Sequence, residues 1–183
     1  MAPTGPNALM ARGSVFIAVS LDGFIARTDG SLDWLLSRAS TGEDHGYDAF
    51  ISGVQAIVMG RGTFETVKAF DPWPYTLPVT VLSRKEPPQV LPPKVRFSAQ
   101  SPALVMSELG SAGVKRAYID GGLVVQDFLR HGLIDDITIT RIPVLIGAGR
   151  PLFGALPADV SLTHVETRSF PSGFVQSRYR IGD

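Results

Sequence analysis

Short apolar runs alternate with amphipathic stretches along most of this chain. Ser14–Ser20, Ala56–Met59, Val79–Leu82, Val95–Phe97, Ala117–Ile119 and Ile137–Ile142 are short and apolar, and each reads as a strand. Leu21–Ala26 reads as a continuation of the first strand through a kink at Gly23, and Arg27–Ser31 as a turn around Asp29-Gly30. Trp34 to Gly42 reads as a loop with a helical turn. Glu43–Ile51 reads as a helix, because Tyr47, Phe50, Ile51 and Val54 fall at i, i+3, i+4 and i+7. Arg61–Lys68 is a second helix with Phe64 and Val67 inward. A third opens at Ser101-Pro102, with Ser as cap and Pro in the first turn, and Leu123–Arg130 is a fourth. Asp71-Pro72-Trp73-Pro74 denies a helix. Leu162–Ser169 and Phe174–Ile181 flank Pro171-Ser172-Gly173 and read as a hairpin. The order predicts an α/β fold of three layers: a mixed, mostly parallel sheet with helices on its faces and an antiparallel C-terminal edge. No linker divides it, so residues 14–183 read as a single domain after a flexible tail over 1–13, in which Met10 is an alternative start.

Charge narrows the partners. Lys plus Arg and Asp plus Glu are both 17, so the net charge is zero and nothing favours a nucleic acid or a membrane surface. There is no cysteine, which removes disulfides, thiolate catalysis and cysteine-based zinc sites. No apolar run is long enough to span a bilayer, and Met1–Gly13 lacks the hydrophobic segment of a signal peptide. A cytoplasmic enzyme acting on a small molecule fits. No His/Asp/Glu set has metal-ligand spacing, and no Gly-x-Ser-x-Gly elbow supplies a nucleophile.

Two glycine turns carry the candidate chemistry. Val58-Met59-Gly60-Arg61-Gly62-Thr63-Phe64 and Tyr118-Ile119-Asp120-Gly121-Gly122-Leu123-Val124 each take a strand into a helix. Such a junction leaves backbone N–H groups and positive partial charge at the helix start, which suits phosphate. Two of them, one carrying Arg61 and Thr63, suggest a dinucleotide. Gly121-Gly122 also permits close backbone approach. Gly147-Ala148-Gly149 does not qualify as a third phosphate loop, because Pro151 follows it.

These segments, together with Ser20-Leu21-Asp22-Gly23-Phe24-Ile25-Ala26, Val81-Leu82-Ser83-Arg84, Phe128–Asp136 and Ile142–Phe153, resemble the dihydrofolate-reductase-like superfamily. Within it the chain looks like the riboflavin-biosynthesis reductase domain, the C-terminal half of the bifunctional deaminase–reductase, in a stand-alone form. The resemblance implies an eight-stranded sheet, NADPH and, in many members, a homodimer. It implies N–H groups of Gly62 and Thr63 on the pyrophosphate, beside Gly60, with Arg61 reaching the adenosine 2′-phosphate. Ser83 and Arg84 would meet the adenine ribose and its phosphate. Asp120, Gly121 and Gly122 would lie near the nicotinamide, with N–H groups of Leu123 and Val124 on phosphate. Asp22 would enter the lid over the nicotinamide as a candidate catalytic residue, Asp22 and Tyr47 would contact the substrate, and Trp34 would pack on substrate or on the core. Asp44 and Asp48, spaced i, i+4 on one helix face beside Tyr47, are candidates for the carboxylate that pterin reductases place on that helix; solvated surface charges are the alternative. The expected activity is that of an NADPH-dependent reductase resembling 5-amino-6-(5-phosphoribosylamino)uracil reductase. A dihydrofolate reductase-type pterin reductase and a non-catalytic nucleotide-binding protein are the alternatives.

Overall fold

The computed structural model of the chain describes residues 10–39 and 42–182. Its main sheet has eight strands: β1 (Arg12–Ser20), β3 (Ala56–Gly60), β4 (Val79–Leu82), β5 (Val95–Ser98), β6 (Arg116–Asp120), β7 (Asp136–Ile142), β9 (Leu162–Ser169) and β10 (Val175–Ile181). Their order is β5-β4-β3-β6-β1-β7-β10-β9. The first six in that order are parallel, and β10 and β9 add an antiparallel edge. The expected mixed sheet with a terminal hairpin is therefore present. Two short strands, β2 (Phe24–Ala26) and β8 (Arg150–Pro151), form a separate ribbon.

Strand alternation builds a core on each face. Ala56, Val58, Ala117 and Ile119 join the helices α4 (Pro102–Ser111) and α5 (Gly122–Arg130) through Val105, Met106, Val125 and Phe128. Their odd-register neighbours Ile57, Met59 and Tyr118 pack with Phe50 of α2 (Tyr47–Ser52) and Phe64 of α3 (Arg61–Val67). Because side chains alternate along a strand, Asp120 shares the face of Tyr118 and emerges at the end of β6. Ser101 caps α4 as expected, its hydroxyl accepting from the Leu104 N–H at 3.4 Å.

Three expectations are corrected. Leu21–Ala26 does not prolong β1. The chain turns back at Ser20, whose carbonyl accepts from the Gly23 N–H, and β2 then pairs with β8. The helix expected over Glu43–Ile51 begins at Tyr47, because Gly46 is left-handed (φ 82°) and the Asp44 carboxylate closes a local turn by accepting from the Gly46 N–H at 2.7 Å. The tail expected over 1–13 is ordered at its end: Ala11 is buried and donates to the Met106 carbonyl, and Arg12 and Gly13 belong to β1. Residues 1–9 lie outside the described residues.

Candidate active site

A cavity of about 1040 Å³ opens where β3 and β6 end and α3 and α5 begin. Ligands of open α/β sheets bind at such strand ends. The volume reaches the top of the usual range for small-molecule sites, about 300–1,000 Å³, so a cofactor and a substrate can share it.

The two glycine turns meet at its wall. Gly121 has φ 102° and ψ 138°, a conformation open to glycine and costly for other residues. A Cβ there would collide with Thr63 Oγ1 of the neighbouring turn, and one at Gly122 would lie 2.6 Å from the Pro151 carbonyl. The Gly121 backbone therefore runs close against the Thr63 side chain of the other turn. Gly60, Arg61, Gly62, Thr63, Asp120 and the Gly121–Val124 segment all line the cavity. Leu123 is exposed and Val124 buried, so the first turn of α5 has one face open and one packed.

Arg61 leans toward the segment after β4. Its guanidinium donates to the Glu86 carbonyl at 2.7 Å, pairs with Glu65 and lies 5.5 Å from the Phe97 ring centroid. The structure so brings Arg61 to the same edge as Ser83-Arg84, although neither of these two lines the cavity. The Ser83 hydroxyl closes a turn by accepting from the Lys85 N–H at 3.1 Å, and Arg84 is exposed.

Two carboxyls line the cavity, Asp120 at the end of β6 and Asp127 on α5, and Asp120 is the one that burial perturbs. Burial pushes it up to about 6, from an ordinary value of 3.8, and the Tyr118 hydroxyl and Gly121 N–H only partly offset this. Tyr47, Tyr75 and Tyr118 gather around it; burial first, and then the Asp120 charge, raises all three phenols above their ordinary value. The phenols are therefore neutral hydrogen-bonding groups across the physiological range.

Asp22, Asp44, Asp48 and Trp34 do not line this cavity. Asp22 is exposed and accepts from the Ser20 hydroxyl at 2.6 Å and from the N–H groups of Ile146 and Gly147 at 3.2 and 2.8 Å. Those bonds hold its carboxyl below the usual range and staple the turn after β1 to the loop before β8. They also satisfy the amides of the Gly147 loop, consistent with its not being a phosphate loop. Asp44 precedes α2, so it and Asp48 do not share a helix face. Both are exposed and border a shallow surface depression with His45. Trp34, on α1 (Asp33–Leu36), is buried against Ile142 and Phe174, while its neighbour Leu35 lines the cavity. Tyr47 does line it. Sequence reasoning missed Tyr75, Tyr118 and Arg150. Tyr118 had a usable signal, because it precedes Asp120 by one strand period. Arg150 had none, since it reaches the site through the β2–β8 pairing.

The model of the RibD C-terminal domain matches residues 13–176. The chain belongs to the RibD C-terminal domain family. It is 35% identical over 158 residues to YwjB, an uncharacterized protein of Bacillus subtilis, covering 85% of this chain and 90% of that protein. A solved protein of Shewanella sp. PV-4, provisionally named for riboflavin biosynthesis, is 39% identical with a TM-score of 0.87, covering 94% of this chain and 99% of that one. At 18% identity, the dihydrofolate reductase of Enterococcus faecalis, solved with NADP(H), shares the fold with a TM-score of 0.67, covering 94% and 97%. The resemblance read from the motifs is therefore correct for family and fold. Among the described residues, no helix is long and apolar enough to cross a membrane.

Proposed function

We propose that this RibD-type domain is an NADPH-dependent reductase of a small heterocyclic or ribosylamino substrate. The observation that carries the reading is Asp120, a cavity carboxyl raised to about 6, placed next to the Gly121 turn. A carboxyl with a pKa near the working pH is suited to proton transfer. The glycine cradle fits dinucleotide phosphates: Gly62, Thr63, Leu123 and Val124 offer backbone N–H groups at two helix starts, and Thr63 adds a hydroxyl. A bound reduced nicotinamide supplies a hydride. The chain's own part is to exclude water with Phe16, Leu35 and Phe70, to orient the ring with its phenols, and to give a proton from Asp120 to the heteroatom of the bond being reduced. Asp120 thereby takes the role first considered for Asp22, Asp44 and Asp48. A pterin reductase remains the second reading, favoured only by the shared fold.

The cofactor preference rests on Arg61. Its guanidinium, anchored on the Glu86 carbonyl, retains exposed N–H groups that suit a 2′-phosphate. NADPH is expected to bind more tightly than NADH, and Arg61→Ala to cost NADPH about 1.5–3 kcal/mol while barely affecting NADH. Titrations of both cofactors into both proteins decide this; equal affinities in the wild type would end the assignment.

A homodimer is also proposed. Ile137, Ile139, Ile142 and Phe174 are core residues and supply no interface. The open surface is instead β9, the last strand of the sheet, exposed along its whole length with Leu162 and Val165 outward. An uncovered edge strand leaves backbone N–H and C=O groups unpaired, a liability that a symmetric partner removes. Light scattering at micromolar concentration should return twice the chain mass, and a monomer mass would reject the dimer.

A further inference from the structure

We propose that the substrate of this chain carries no phosphate: the cavity is built for a planar, unphosphorylated ring. The inference rests on the reductase reading above and narrows its substrate class. It starts from where charge sits on the cavity wall.

Among the described residues, the cationic side chains lining the cavity are Arg61 and Arg150. Both stand at the first turn of α3. Arg61 opens that helix, and a Cβ added at Gly62 would lie 3.4 Å from Arg150 Nη1; one added at Gly30 would lie 3.1 Å from the same atom. Under the reductase reading these cations and the adjoining N–H groups face dinucleotide phosphates. Around Asp120 the wall is different. Tyr47, Tyr75 and Tyr118 feel the Asp120 charge, the Tyr118 hydroxyl donates to the Phe16 carbonyl at 3.0 Å, and Phe16, Pro74, Phe70 and Leu35 line the same cavity. The Phe16 and Tyr47 rings meet edge to face, with centroids 5.8 Å apart. Among the described residues, no Arg or Lys acts on the Asp120 carboxyl; the groups that temper it are the Tyr118 hydroxyl and the Gly121 N–H.

A phosphate dianion at this end would be stripped of water, set beside a carboxyl and given no cation. Burying an unpaired charge is costly, and a like charge nearby adds to the cost. A flat ring meets the opposite conditions: aromatic edges and faces to pack on, neutral phenols to bond its heteroatoms, and one carboxyl. The phosphoribosylamino substrate implied by the family resemblance would thus lack a phosphate seat here, while its ring would have one.

The test uses the full chain, free and loaded with NADP⁺, and two probes sharing one ring: 5,6-diaminouracil, and 5-amino-6-ribitylaminouracil 5′-phosphate. Isothermal titration gives each affinity, and aromatic NMR resonances of Tyr47, Tyr75 and Tyr118 report where each binds. The unphosphorylated ring is expected to shift the tyrosine resonances and to bind at least about tenfold more tightly than the phosphorylated probe, a difference of about 1.4 kcal/mol. Equal or tighter binding of the phosphorylated probe, or no tyrosine shift with the bare ring in either form of the protein, overturns the proposal. Failure of the dinucleotide itself to bind is read in a separate titration and counts against the reductase reading instead.

Discussion

Asp120→Asn should slow reduction by about 10²–10⁴-fold, the usual worth of a positioned proton donor, while leaving NADPH affinity nearly unchanged. The reason is the placement of the carboxyl in a wall of aromatic rings, which raises it from 3.8 to about 6. Wild-type turnover should accordingly fall as pH rises above about 6, when the proton to be donated is lost, and the Asn variant should lose that dependence. Stability carries the same signature. The folded-state value is raised, so the protonated carboxyl contributes stability that is complete below about 3.8 and lost as pH climbs through about 6. The shift corresponds to as much as about 3 kcal/mol at order-of-magnitude precision. Urea unfolding of wild type and Asp120→Asn should therefore show the variant gaining on the wild type between pH 4 and pH 8. Asp44→Asn and Asp48→Asn serve as controls, since both carboxylates are exposed outside the cavity. A large rate loss in either control with none at Asp120 would move the proton donor to the pterin-reductase position.

Gly121→Ala should weaken both the fold and the cofactor site. At φ 102° and ψ 138° an L-residue pays about 1–3 kcal/mol in backbone strain. Its Cβ would also drive into Thr63 Oγ1, pushing apart the two turns proposed to hold the cofactor. A total loss of about 2–4 kcal/mol is expected, the range of a strained position combined with overpacking. The two costs can be separated. Thr63→Ala removes the struck oxygen, so the double variant should recover part of the loss and retain the backbone strain, a coupling that a double-mutant cycle reads directly. Additive losses in chemical unfolding would show that the turns do not touch. Unchanged NADPH affinity in Gly121→Ala would remove the cradle as the cofactor site.

The sequence and the fold each contributed separable parts of this description. Strand and helix identities followed from local information, because alternation and helical spacing record which faces of an element are buried. The alternation at Ala56–Met59 and Ala117–Ile119 matches the two cores that flank the sheet. The glycine turns were equally legible, since a strand that ends at glycine before a helix exposes amides whatever surrounds it. Boundaries failed where a side chain competed with the helix. Asp44 closes a turn onto Gly46 and delays α2 by a full turn, and the i, i+4 pairing of Asp44 with Asp48 failed with it.

Tertiary structure alone decided which of the four candidate carboxylates lines the cavity. Asp22, Asp44, Asp48 and Asp120 are chemically the same in sequence; what separates them is long-range. Asp22 is consumed by amides more than a hundred residues away, and Asp120 is buried where its charge acts on Tyr47 and Tyr75 from other segments of the chain. Trp34 went to the core because β7 and the turn before β10 bring Ile142 and Phe174 against it. The charge map of the cavity, with Arg150 delivered by the β2–β8 ribbon and, among the described residues, no cation acting on Asp120, follows from the same non-local packing. Local sequence sets the backbone's choice of element and the places where it must be glycine. The electrostatics of a site depend on which distant side chains exclude water from it, and only the folded chain settles that.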